Sequence, residues 1–283
     1  MSNDSWLARA VALVGAGVIQ WRRLQGSART AAVGAAPQIP PARPQGTLPT
    51  LKMPTAQGWA AGQQPVAATG LKVNAYASGL KHPRWILVLP NGDVTVAEAL
   101  QSGGQPRTLF DHAMVATMRR AAAFGDSPNR ITLLRDADGD GVAEQRHTLL
   151  EGLNQPFGMA LLEGSFYVGN TDGVMAYPYT EGATTLSAPG RRLASFQPGG
   201  HWTRSLLPSA DGRRLYVGVG SFSNIGEHGL AAEAGRACIY ELDLATNQCR
   251  VFASGLRNPV GLAWEPATNV LWTVVNERDG LGD

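Results

Sequence analysis

Four segments of this chain are written in one grammar. GLKHPRWILVLPNGDVTVAEA from Gly79, GLNQPFGMALLEGSFYVGN from Gly152, GGHWTRSLLPSADGRRLYVGVGS from Gly199 and GLRNPVGLAWEPATNVLWTVVNE from Gly255 each open on a glycine turn, enter an apolar strand, turn, and rise into a second strand. With an insertion at about 101–129 set aside, they recur roughly every 50 residues. A unit of that length cannot bury its own apolar face, so neighbouring units must stack, and a strand-based period of this size matches the four-stranded blade of a β-propeller. The alternative is a series of unrelated hairpins in a sandwich. The expected fold is all-β, a propeller with about four blades present.

Composition agrees with short elements and tight turns, because 34 glycines and 18 prolines are spread over 283 residues. With 44% hydrophobic and 16% charged residues, disorder and a bundle of long charged helices are both excluded for most of the chain. The balance of 24 basic and 22 acidic residues is too even for a nucleic-acid footprint.

Three regions are expected. Residues 1–36 form an apolar N-terminal segment holding the uncharged run AVALVGAGVIQW from Ala10 to Trp21. At twelve residues it is too short to span a bilayer, which takes about 20. It reads as the core of an export signal or anchor, with Gly26, Ser27 and Ala28 following; Asp4 before it and Arg22 and Arg23 after it oppose the usual polarity of such signals. Residues 37–70 are a Pro-rich linker, and 71–283 the propeller. Inside the insertion, Leu109, Met114, Met118 and Ala122 fall at helical spacing, which predicts a short amphipathic helix over the propeller. The stretch ACIYELDLATNQCRVF predicts a hairpin turning around Asp243 to Gln248. That register sets Cys238 opposite about residue 253, not Cys249, so two free and mostly buried thiols are expected.

Two constellations carry chemistry. Asp136, Asp138 and Asp140 with Gly141 form DADGDG, in which alternate carboxylates converge on a hard cation and the glycine permits the sharp turn. Position twelve, where a helical calcium loop needs glutamate, is His147, and the flanks ITLLR and RHTLL read as strands. The expectation is a calcium-binding hairpin with a structural ion; the alternative is a solvated turn. The second constellation follows from the repeat. Turns entering the innermost strands of a propeller gather on one face, and there they carry Lys81 and His82, Asn154 and Gln155, His201, and Arg257 with Asn258. A cationic rim with a histidine suits an anionic or carbonyl-bearing ligand, with His201 as proton acceptor.

The series GLKHPRW, NRITLLRDADGDGVAE, GLNQPFGMALL, GGHWTR, GLRNPVGLAW and NERDGLGD resembles the glucose/sorbosone dehydrogenase family over about residues 71–283. These are six-bladed propellers that use pyrroloquinoline quinone (PQQ). The resemblance implies two-electron oxidation of an aldose or aldehyde sugar, with His201 as base, Arg257 and Asn258 at the quinone carbonyl edge, and Gln155 as a looser cofactor contact. It also implies a cofactor calcium held at Asp279 and Gly280, an unspecified quinone or cytochrome as electron acceptor, and a periplasmic or membrane-anchored location facing the periplasm. Family members that oxidise glucose orient the base with an aspartate where this chain has Ser221. Their later blades supply further residues that grip the quinone carboxylates, and the sequence reaches Asp283 before any of these. At about 50 residues per blade the length fits four blades of six, so a truncated ring is expected. One alternative is a calcium-dependent lactonase, with Glu98, Asn154 and Asn276 around a central metal. The other is a non-catalytic propeller that binds a partner or glycan.

Overall fold

The computed structural model describes residues 55–60, 62–101, 106 and 108–277. The N-terminal segment 1–36, the first half of the linker, and Asp279 and Gly280 lie outside the described residues, so the expectations placed on them stay as they were. The described part of the linker is exposed and has no regular structure apart from turns.

Fourteen strands follow the repeat. The first sheet runs β1 (Pro83–Val88), β2 (Val94–Glu98), β3 (Arg130–Arg135) and β4 (Gln145–Leu150), in that order and antiparallel. The second is β5 (Met159–Leu162), β6 (Ser165–Asn170), β7 (Gly173–Pro178) and β8 (Arg191–Ser195). The third is β9 (Leu206–Pro208), β10 (Arg214–Val219), β11 (Cys238–Asp243) and β12 (Cys249–Ser254), and β13 (Asn258–Trp264) pairs with β14 (Leu271–Asn276) alone. Each repeated segment is thus the first hairpin of a sheet. The described residues hold three whole blades and two strands of a fourth, in line with about four blades.

Stacking explains the alternation along each strand. In β6, Phe166 and Val168 point to the first sheet and pack with Ile131, Leu133, Leu149 and Met159. Tyr167 points the other way, into the cluster of Leu206, Leu215, Val217 and Leu242 in the third sheet. A fully buried side chain of this kind contributes about 1.5–3 kcal/mol by leaving water, so two such layers hold the three blades together. The leading strands lie side by side, β1 against β5, β5 against β9 and β9 against β13. Their entry turns are thereby brought to one end of the sheets.

The insertion helix forms as expected, as α1 (Leu109–Arg120). Thr108 caps it by accepting from Asp111 N while the Asp111 carboxylate accepts from Thr108 N. Its apolar stripe is not buried: Leu109 is 90% exposed and Met114 is exposed, and Ala122 has left the helix with φ +55°. The cysteine hairpin keeps its expected register, with Cys238 opposite Ser254 and Cys249 opposite Leu242. Both thiols are free, but only Cys238 is buried. Cys249 is exposed because β12 is the outer strand of its sheet.

Candidate active site

His201 enters β9 from the pair Gly199–Gly200. Gly200 sits at φ +57°, and a Cβ there would come within 2.3 Å of Phe222 O, so glycine is needed twice over. The His201 N–H donates to Ser221 O at 3.0 Å, and the ring Nδ1 lies 3.0 Å from both Ser221 O and Ser221 Oγ. The Ser221 hydroxyl gives its own proton to Ser223 O at 2.7 Å. Ser221 therefore offers the ring acceptors only. Nδ1 therefore carries a proton, and in the neutral imidazole the lone pair falls on Nε2. Ser221 thereby orients the ring, although it brings no charge.

The same serine ties in the next blade, because Ser221 N donates to Arg257 O at 2.7 Å. Gly220 stands between the two loops. A Cβ there would lie 2.4 Å from Asn258 Oδ1 and 2.5 Å from His201 Cβ, so His201 and Asn258 are packed on opposite sides of a bare backbone. Arg257 is oriented by donating from Nε to Asn224 O (2.9 Å), from Nη2 to Asn224 Oδ1 (2.9 Å) and from Nη1 to Asn276 O (3.1 Å). Asn258 is buried, and its Oδ1 makes no hydrogen bond. An unmet buried polar atom costs about 1–3 kcal/mol, and this one lies against the Gly220 backbone.

Two arginines lie under the histidine loop. Arg204 is fully buried and donates to His201 O and Thr203 O at 2.9 Å and to Gln197 O at 3.2 Å. Arg236 donates to Gly220 O at 2.8 Å, to Gln197 O and Gly199 O at 2.7 Å, and to His201 O and Ser221 O at 3.2 Å. Burial, and then the neighbouring Arg236, push Arg204 down to about 9, so it remains cationic at neutral pH. Burial lowers Arg236 as well. Neither residue stands out in the sequence, and together they fix the backbone of the histidine loop and of Gly220–Ser221 beside it.

The other candidates are placed less centrally. Gln155, at φ +49°, donates its backbone N–H to Asn129 Oδ1 at 3.1 Å and its side-chain amide to Leu100 O at 3.1 Å. Its donor therefore fastens the junction of the first two blades. Its loop does reach the histidine loop, since Phe157 packs edge-on against Trp202 with centroids 6.1 Å apart. Lys81 donates its N–H to the Glu98 carboxylate, and His82 O accepts from Ala99 N at 3.2 Å. Glu98, fully buried, also accepts from Arg130 Nε at 2.9 Å, Arg130 Nη2 at 3.2 Å and Thr132 Oγ1 at 2.5 Å. Burial raises its pKa, but the bonds from Arg130, Thr132 and Lys81 outweigh that and hold it below the ordinary carboxylate range. Its lone pairs are taken up, which removes the carboxylate from the lactonase ligand set. Asn154 and Asn276 are exposed, and each offers its backbone oxygen to a protein donor, Thr171 N and Arg257 Nη1 respectively.

The aspartate loop joins β3 to β4, as a hairpin and not a helical loop. Asp136, Asp138 and Asp140 converge as expected, and Glu144 joins them, with one ligand atom from each within 4.8 Å of the others. The fourth carboxylate comes from the ninth position of the motif, Glu144, and not from the twelfth, His147.

Stacked antiparallel four-stranded sheets whose entry turns gather at one end define a β-propeller, and His201 lies on one of those turns. The chain belongs to the TrAA12-like family, whose model matches residues 126–282, more than half of its length. It is 26% identical over 230 residues to a pyrroloquinoline quinone-dependent sugar dehydrogenase of Hypocrea jecorina (strain QM6a), covering 77% of this chain and 48% of that protein. The chain thus spans about half the length of the curated relative it matches. A solved AA12 carbohydrate-active enzyme of Trichoderma reesei superposes with a TM-score of 0.59 at 23% identity, over 80% of this chain and 53% of that one. The holo PQQ domain of pyranose dehydrogenase from Coprinopsis cinerea gives 0.59 at 20% identity, over 77% and 50%. At these identities the structural likeness speaks for the fold.

Proposed function

We propose that this chain carries the active-site face of a PQQ-dependent sugar dehydrogenase that oxidises an aldose or aldehyde sugar. The observation that carries the reading is the His201 ring, held in its Nδ1–H tautomer beside Arg257 and Asn258. The residues fit a quinone bearing carboxylates: the Arg257 guanidinium and the Asn258 side-chain NH2 are donors, and Arg204 and Arg236 add positive charge beneath the histidine loop. Arg257 and Asn258 are the residues that would hold the quinone's carbonyl edge. Bound there, PQQ supplies a two-electron, hydride-accepting group.

The chain's own part is proton transfer and orientation. His201 Nε2 accepts the proton of the sugar hydroxyl, while Nδ1–H stays on Ser221 O and Oγ and keeps the ring aligned. Arg257 stabilises negative charge developing on the acceptor's oxygen. The Trp85, Phe157 and Trp202 cluster gives the loop a rigid apolar floor. For calcium, the supporting observation is the four-carboxylate hairpin of Asp136, Asp138, Asp140 and Glu144, with a structural ion. A second ion at Asp279 and Gly280 and a periplasmic location remain part of the same proposal.

The test is titration of PQQ and calcium into the purified chain, with dye reduction by aldoses as readout. PQQ absorbance changes and sugar-dependent reduction are expected, and His201→Asn should cost at least about 100-fold in rate. Unaltered reduction in His201→Asn, or dependence on calcium without quinone, would overturn the reading.

A further inference from the structure

The segment between β10 and β11 has no role in the repeat, yet it touches both candidate residues. Asn224 in this segment orients Arg257, and Ser221 and Ser223 orient His201. Behind the serines stands Glu233, at the end of the short 3-10 helix Leu230–Glu233. Its Oε2 accepts from Phe222 N at 2.7 Å, and its Oε1 accepts from Ser223 N at 2.9 Å and Ser223 Oγ at 2.5 Å. Burial raises the Glu233 pKa, but the bonds from Ser223 and Phe222 outweigh it, so the group is a carboxylate at neutral pH. Ser223 is thereby locked, with its carbonyl aimed at the Ser221 hydroxyl.

That carbonyl decides what Ser221 can do. A serine hydroxyl can donate or accept, and one free to rotate could give its proton to Nδ1 and stabilise the opposite tautomer, with the proton on Nε2. With the hydroxyl proton held on Ser223 O, only the accepting role remains. We propose that Glu233 is a positioning residue for His201, fixing through Ser223 and Ser221 the tautomer that leaves the lone pair on Nε2. The inference deepens the reading of His201 as a base and rests on it for its purpose. The tautomer itself is measurable without quinone or sugar.

The experiment is a two-bond proton–nitrogen correlation spectrum of the full chain with 15N-labelled histidine at neutral pH, with His201 located by its absence in His201→Asn. Wild type should show His201 with the proton on Nδ1. Glu233→Ala should lower the ratio of Nδ1–H to Nε2–H by about fivefold, the worth of one hydrogen bond. Glu233→Gln keeps an acceptor oxygen for Ser223 and should restore the wild-type ratio. With PQQ and sugar, Glu233→Ala should reduce kcat while leaving KM in place, because only the competent fraction changes. If Glu233→Ala does not fold, Ser221→Ala cuts the same relay one link closer and should shift the ratio comparably. A wild-type ratio in Glu233→Ala or in Ser221→Ala, or Nε2–H in the native chain, overturns the proposal. If the ratio moves but His201→Asn still reduces dye, the relay stands and the base assignment falls; if His201 is required and the ratio ignores Glu233, the reverse holds.

Discussion

Glu98→Gln separates a structural carboxylate from a metal ligand, and its cost can be worked from the geometry. Glu98 is 0% exposed and receives two bonds from Arg130, one from Thr132 Oγ1 and one from Lys81 N. An amide of the same shape removes the charge and turns an NH2 toward donors. Breaking a buried pair this way costs about 3–5 kcal/mol, and the Arg130 side chain, 31% exposed, can turn partly to water, which points to the lower end, about 3 kcal/mol. A folded unit of this size loses about 2–4 °C of Tm per kcal/mol, so a fall of about 6–12 °C is expected by calorimetry or circular dichroism. The pH dependence has a definite sign. The folded pKa lies below the ordinary 4.5, so the stabilisation is present above that value and fades as pH falls through the depressed folded pKa. The gap between wild type and Glu98→Gln should therefore be full at pH 7 and shrink below about pH 4. A Tm loss under about 2 °C at pH 7 would refute the assignment. So would normal metal-free stability combined with lost calcium affinity, which is what a ligand carboxylate would give.

Gly220→Ala puts a methyl 2.4 Å from Asn258 Oδ1 and 2.5 Å from His201 Cβ; it should cost about 1–3 kcal/mol and shift the His201 ring signals, and an unchanged Tm and spectrum would count against the packing. Glu144→Gln should weaken calcium binding about tenfold in isothermal titration by removing one carboxylate from the hairpin, and equal affinity would leave the ion to the three aspartates or to none. In the folded chain one thiol, Cys249, should react with Ellman's reagent and two after denaturation, while Cys249→Ser should change stability by less than about 0.5 kcal/mol. A second reactive thiol in the folded chain would show that β11 is less buried than its neighbours require.

Much of the fold was legible because the repeat is a covalent record of the packing. Each glycine turn and apolar run became the first hairpin of a sheet, and residues such as Phe166 and Tyr167 alternate because one strand serves two interfaces. The rim positions of His201, Arg257 and Asn258 followed from the same register. What stayed hidden depends on partners distant in sequence. Arg204 and Arg236 look like surface residues, and they are buried because the carbonyls of Gln197, Gly199, His201 and Gly220 need donors where water cannot reach. Glu233 sits in a segment with no period, and its link to His201 passes through the Ser223 backbone carbonyl and the Ser221 hydroxyl. The helix α1 was readable by its spacing, but what its apolar stripe would cover was not.

The serine at position 221 makes sense once the charges under the loop are counted in place. His201 O accepts from Arg204 and Arg236 together, and Ser221 O accepts from Arg236 as well as from the histidine. A carboxylate beside the ring would be drawn toward Arg236 and compete with the imidazole for that guanidinium. A neutral hydroxyl can be aimed by Ser223 without that competition, and it leaves the cations' field directed outward through the backbone. Glu233 is one layer back, where it locks the serines and offsets part of the Arg236 charge without touching the ring. The histidine thereby stays oriented by neutral groups, with the Arg204 and Arg236 charges beneath its loop.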